Sequence, residues 1–137
     1  MARDKFHFEF RHAIENEGWK ITDDPLVLKS GKIQIHIDLG AELLIGAEKD
    51  GEKIAIEIKT FGNPSFITAF YEAVGKFIVY RNALEMLASK RVLYLAIPKS
   101  IFERFENEPL VKRVFEIEKI KIIVYNQRRK NILKWIK

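Results

Sequence analysis

A chain of 137 residues with 47% hydrophobic and 31% charged side chains is one domain's worth, large enough for a real core, and its composition argues against wholesale disorder. The absence of cysteine excludes disulfides and thiolate metal sites and fits a reducing cytoplasm, and three scattered histidines (His7, His12, His36) leave any metal to carboxylates, which favour hard ions such as Mg²⁺ or Mn²⁺. A net charge of +5 and a pI near 9.4 lean toward a polyanionic partner.

No apolar run approaches the roughly 18 residues that span a bilayer, so no membrane partner is expected. The start, MARDKFHFEF, is charged and carries no apolar signal region. Residues 4 to 17 read as a helix, with Phe6, Phe10, Ala13 and Ile14 on one face and Gly18 placed to end it. Trp19 to Thr22 reads as a short strand, and Asp23-Asp24-Pro25 as a turn. Leu26 to Leu28 resumes an extended segment, which Ser30-Gly31 breaks. Ile33, Ile35 and Ile37 then alternate with polar residues, predicting a strand with one buried face.

Leu43 to Ala47 predicts a further strand, and Asp50-Gly51 is a strong hairpin signal. The segment Ile54-Ala55-Ile56-Glu57-Ile58-Lys59 returns from that turn. Phe61 to Ser65 is a loop, with Ser65 placed as an N-cap for a long helix over residues 66 to 88. Its expected buried side holds Phe70, Ala73, Val74, Phe77, Leu84 and Leu87. Arg91 to Ile97 is the continuous apolar run of a covered central strand. A helical region follows from Pro98 to about residue 117, interrupted near Pro109. Ile120 to Tyr125 is another strand, and the basic tail supplies an edge strand. The whole is a single mixed α/β domain over residues 1 to 137, in which a hairpin leads into a parallel crossover.

In a strand, residues two apart share a face, so Glu57 and Lys59 lie on one side while Ile54, Ile56 and Ile58 lie on the other. A Glu-x-Lys triplet recurs by chance, and its plainest reading is a solvated pair. Context distinguishes this one. The hairpin brings Glu42 to the neighbourhood of Glu57, and Asp38 lies just upstream. Converging carboxylates favour a divalent ion, which relieves their repulsion. A lysine alongside can stabilise developing phosphate charge or position a water. Those are the parts of metal-assisted phosphodiester hydrolysis.

This arrangement resembles the PD-(D/E)XK superfamily, the restriction-endonuclease-like fold, in which a central mixed β-sheet is flanked by helices. The resemblance implies a metal-binding acid on one core strand, and on the next an E-x-K triplet with a second such acid and a catalytic lysine. Glu57-Ile58-Lys59 matches the triplet. Glu42 is the better match for the other acid by hairpin register, with Asp38 the runner-up. Some branches carry a Gln-x-x-x-Tyr motif on the following helix. Here Lys76 and Tyr80 keep the spacing, with lysine in place of Gln, which puts the positioning of substrate in doubt but adds a charge that suits phosphate.

A closer resemblance rests on GWKITDDPL (Gly18 to Leu26), IDLGAELLIGAEKDGEKIAIEIKTF (Ile37 to Phe61) and FYEAVGKFIVYRNALE (Phe70 to Glu85). These three ordered blocks resemble the XisH family, cyanobacterial proteins named as controlling factors for excision of the fdxN DNA element. That resemblance implies a link to programmed DNA rearrangement. The partners it brings into view are DNA, a XisI-like protein or a site-specific recombinase, and a second copy of the chain.

Other residues have quieter explanations. Glu15 reads as a solvated helix residue, although some nucleases of this superfamily carry a further site acid there. Asp24 reads as turn chemistry, although the resemblance also makes it a site candidate, and His36 reads as packed or solvated. Trp19 and Trp135 read as core and edge aromatics. The last ten residues hold five Lys or Arg and no acid. Within them Arg128, Arg129 and Lys130 form the best stretch for phosphate contact, against the alternative of an edge protected by lysines.

Overall fold

The computed structural model describes residues 5–35, 44–61 and 65–137. Helix α1 (His7–Asn16) is followed by β1 (Lys20–Asp23) and a short ribbon of β2 (Leu28–Ser30) and β3 (Ile33–Ile35). The hairpin of β4 (Leu44–Lys49) and β5 (Glu52–Ile58) leads into the long helix α2 (Phe66–Met86). Strand β6 (Val92–Pro98), helices α3 (Lys99–Glu106) and α4 (Pro109–Ile117), and strands β7 (Ile122–Asn126) and β8 (Asn131–Ile136) complete the chain. Six strands form one mixed sheet in the order β1-β4-β5-β6-β7-β8, while β2 and β3 pair apart from it. Strands β5, β6 and β7 run parallel, and the remaining neighbours are antiparallel.

Local chemistry accounts for the turning points. Asp50 and Gly51 both take positive φ, 50° and 83°, between the closing pair Lys49 and Glu52. That is the two-residue hairpin that Asp-Gly favours, because its twist matches that of the strands. Gly18, at φ 92°, lets the chain leave α1 directly for β1. The Ser65 hydroxyl accepts the Thr68 N–H at 3.2 Å and so caps α2. Pro109 starts α4 in the first turn, where its missing N–H costs nothing.

Each face of the sheet has its own core. On one side Phe10 and Ile14 of α1 pack against Ile54, Ile56, Ile58 and Ile123. On the other, Phe70, Ala73, Phe77, Tyr80 and Leu84 of α2 join Ala55, Leu95 and the Phe105–Phe115 pair of α3 and α4. A fully buried side chain of this size contributes about 1.5–3 kcal/mol, so the two layers hold the sheet from both sides. Trp19 is in the first core, and its ring lies 5.7 Å from that of the partly buried Trp135, as core and edge aromatics should. Trp135 also meets Tyr94 edge to face. Burial pushes the Tyr94 phenol above its ordinary pKa of 10.0, and the charge of Glu52 adds to the rise.

Two burial expectations are corrected. Ile33 is 69% exposed rather than buried, because it sits at the turn end of the separate β2–β3 ribbon, while Leu28 at the other end reaches the α2 core. Leu87 is exposed because it is the C-cap residue of α2, past the turns that pack on the sheet. The expected burial of Ile37 concerns a position outside the described residues.

Candidate functional site

The apolar face of β5 belongs to α1, which leaves the Ala55 face, and with it Glu57 and Lys59, turned toward the α2 layer. Glu57 stands opposite Leu44 of β4 and Leu95 of β6. Lys59 lies just past the end of β5, and its N–H still donates to the Ala96 carbonyl at 3.0 Å, so the backbone there is held as firmly as in the strand. Glu57 has 0% exposure and Lys59 5%. The pair is therefore no solvated edge. Taking either charge out of water is costly unless it is compensated.

Part of that compensation comes from a residue that the sequence pattern does not single out. Glu72 of α2 places a carboxylate oxygen 3.3 Å from the Lys59 ammonium, with its own side chain 45% exposed. Glu72, Lys76 and Tyr80 follow one another at four-residue steps, which puts them along one helix stripe. Lys76 is half-buried and Tyr80 buried on that stripe. The four-residue step back from Lys76 is the one signal that could have pointed to Glu72.

Asp38, Glu42 and His36 lie outside the described residues. In the hairpin register it is Leu44 that stands directly opposite Glu57. No group of three or more metal-ligating side chains occurs among the described residues.

Arg128, Arg129 and Lys130 are exposed and occupy the turn between β7 and β8. The Asn126 side-chain oxygen accepts the Arg128 and Arg129 N–H groups, both at 2.9 Å, which fixes the turn and leaves the side chains outside. Because β5, β6 and β7 are parallel, this turn and Lys59 share the C-terminal end of those strands. Two strand spacings separate them laterally, about 10 Å.

The quieter residues resolve as follows. Glu15 is a half-exposed partner of Arg11 at 3.9 Å, as expected of a helix surface. Asp24 does more than shape a turn: its Oδ2 meets His7 Nε2 at 2.9 Å and Arg11 at 2.7 Å, tying the start of α1 to the β1–β2 loop. Nothing in the local pattern of His7 foretold its burial.

The sequence matches the XisH protein family over residues 1–133. The chain belongs to the XisH family. Two crystal structures agree with that. A fdxN element excision controlling factor protein from Anabaena variabilis is 38% identical, with 96% of this chain and 98% of that one covered and a TM-score of 0.87. A XisH family protein from Nostoc punctiforme PCC 73102 is 37% identical, with 98% and 100% covered and a TM-score of 0.88. No curated protein sequence matches the chain. The XisH fold seen here is a central mixed sheet flanked by helices, and no described helix is long and apolar enough to cross a membrane.

Proposed function

We propose that this chain acts in the cytoplasm to control excision of a DNA element, as the name of its Anabaena relative suggests. In this reading it binds duplex DNA at the end of the sheet that carries Lys59 and the Arg128–Lys130 turn, and cuts it in a metal-dependent step. The fold is then of the restriction-endonuclease-like, PD-(D/E)XK class. One observation carries the reading: Glu57 and Lys59 are both buried, on one strand face, and turned toward a long helix that offers Glu72, Lys76 and Tyr80. Structural pairs of this kind are ordinarily left at the surface, where they cost little.

Oxygen donors suit Mg²⁺ or Mn²⁺, and Glu57 would hold the ion together with Glu42 and Asp38. A bound ion supplies a water of lowered pKa and offsets charge on the phosphate. The chain's own side chains supply the rest. Lys59 offers an ammonium to a phosphate oxygen or to the attacking water, and Glu72 orients it. Lys76 adds positive charge on the helix stripe that carries Glu72, and Tyr80 continues that stripe. Arg128, Arg129 and Lys130 hold the backbone and set register without reading sequence.

The test is nicking of supercoiled plasmid with Mg²⁺ or Mn²⁺. The wild type should nick, and Glu57→Ala or Lys59→Ala should lower the rate by roughly a hundredfold or more. Nicking that ignores both substitutions would refute the site. A second reading is a catalytically inactive protein that holds a XisI-like partner or a recombinase. The tether of Lys59 to Glu72 and the lysine at position 76 favour it, and it predicts no nicking and no calorimetric signal for either metal.

A further inference from the structure

A concavity lies on the α3–α4 side of the β7–β8 edge, and it owes nothing to the nuclease reading. Its volume is about 650 Å³, within the range of ligand and side-chain pockets. The floor is apolar, formed by Phe102 and Phe105 of α3, Phe115 of α4, Ile122 at the start of β7 and Ile136 at the end of β8. Ile122 and Ile136 are direct cross-strand partners, so the hollow sits where the β7–β8 pair begins and ends, away from its basic turn. From that pair four residue steps along β7 lead to the turn, about 13 Å at the usual strand rise, and the rim residue Lys134, opposite Val124, lies between.

The hollow exists because the helical layer stops short of the edge strand. Helix α3 packs on β6 and β7, while on β8 Ile136 is only half-buried and Lys134 is exposed. The rim is cationic. Lys112, Lys119, Lys121, Lys134 and Lys137 line it against Glu106 and Glu116, and Glu106 is already engaged by Lys112 at 3.7 Å. The Lys134 ammonium lies 5.3 Å from the centre of the Phe102 ring, at the boundary between floor and rim.

We infer that this groove receives an acidic amphipathic helix of a partner protein. Such a helix places apolar side chains on the phenylalanine floor and carboxylates against the lysines, and it completes the layer over β8. Nucleic acid matches the charge but has no aliphatic side chains with which to fill the floor. Because the floor centres on the Ile122–Ile136 pair, while the basic turn closes the other end of β7 and β8, the partner helix and DNA bind together.

The probe is a short fluorescein-labelled peptide with Leu at i, i+3, i+4 and i+7 and Glu on its other face, followed by anisotropy. The wild type should bind it and should ignore the counterpart with Lys for Glu. The double variant Lys121→Glu/Lys134→Glu should weaken binding by about tenfold or more, with an unchanged circular dichroism spectrum. Lys112→Glu/Lys137→Glu should repeat the loss if the first variant is misfolded. Amide shifts in an NMR titration should cluster at the floor residues. Absence of binding by the wild type, wild-type affinity in both variants, or displacement of the peptide by a short DNA duplex would each overturn the assignment. None of these lysines belongs to the Glu57 site, so plasmid nicking is unchanged by the variants and fails or succeeds separately.

Discussion

Lys59 carries an ammonium at 5% exposure, and the reason it is tolerated decides whether it serves the fold or the site. A buried ion that is only structural is costly to remove singly, because it strands its partner without water. Glu72, however, is 45% exposed and keeps its hydration when Lys59 is lost, so the charge stranded without water is that of the fully buried Glu57 on the same strand face. Replacing both together, Glu57→Gln with Lys59→Met, should therefore leave stability within about 1 kcal/mol of wild type, or above it. Urea denaturation measures this. A loss well beyond about 2 kcal/mol would make Lys59 a structural residue and remove the main reason for assigning it a chemical role.

At the scale of elements, the β1–β4–β5 side of the sheet is pinned by Arg91 at the end that carries the Asp50-Gly51 hairpin. Its guanidinium donates to the Ile54 carbonyl at 2.9 Å and the Ala47 carbonyl at 3.3 Å, and it reaches Thr22 and Asp23 of β1 at 3.0 and 3.1 Å. Gly46 leaves room for this clamp, since a Cβ there would lie 2.9 Å from the Asp23 carboxylate and 3.0 Å from the Arg91 guanidinium carbon. Gly46→Ala should cost about 1–3 kcal/mol by overpacking. Arg91→Ala should cost a comparable amount, and the double variant should cost less than the sum, because both act on one contact. Strict additivity in urea unfolding would disprove the clamp. Elements whose cause is local were legible in the sequence: the Asp50-Gly51 hairpin, the Ser65 cap, the break at Pro109 and the apolar run of β6. The pairing of Glu57 and Lys59 on one face followed from strand parity alone. What escaped depends on partners far apart in the chain. Arg91 and Asp23 are 68 residues apart, and His7 and Asp24 are 17. Glu72 matters only because α2 passes over the end of β5. Ile33 alternates as a buried strand should, yet its ribbon lies outside the main sheet.

Over the whole molecule, the parallel strands have two ends with different surfaces. The C-terminal end holds Glu57, Lys59 and the Arg128–Lys130 turn, and the lysine-rimmed groove runs along the α3–α4 side from the start of β7. A net charge of +5 attracts polyanions in general, but the proposal places the DNA at the first end only. Salt dependence of duplex binding, followed by fluorescence anisotropy, tests that placement most directly. Each phosphate contact contributes a slope of about −0.9 to log K against log salt. Replacing Arg128, Arg129 and Lys130 together with Ala should flatten the slope by about two to three units and weaken every duplex alike. Without metal, Glu57→Ala should leave binding intact or tighten it, because it removes a charge that repels the backbone. A wild-type affinity that does not change with salt, or a triple variant with the wild-type slope, would contradict the placement of DNA at this end of the sheet.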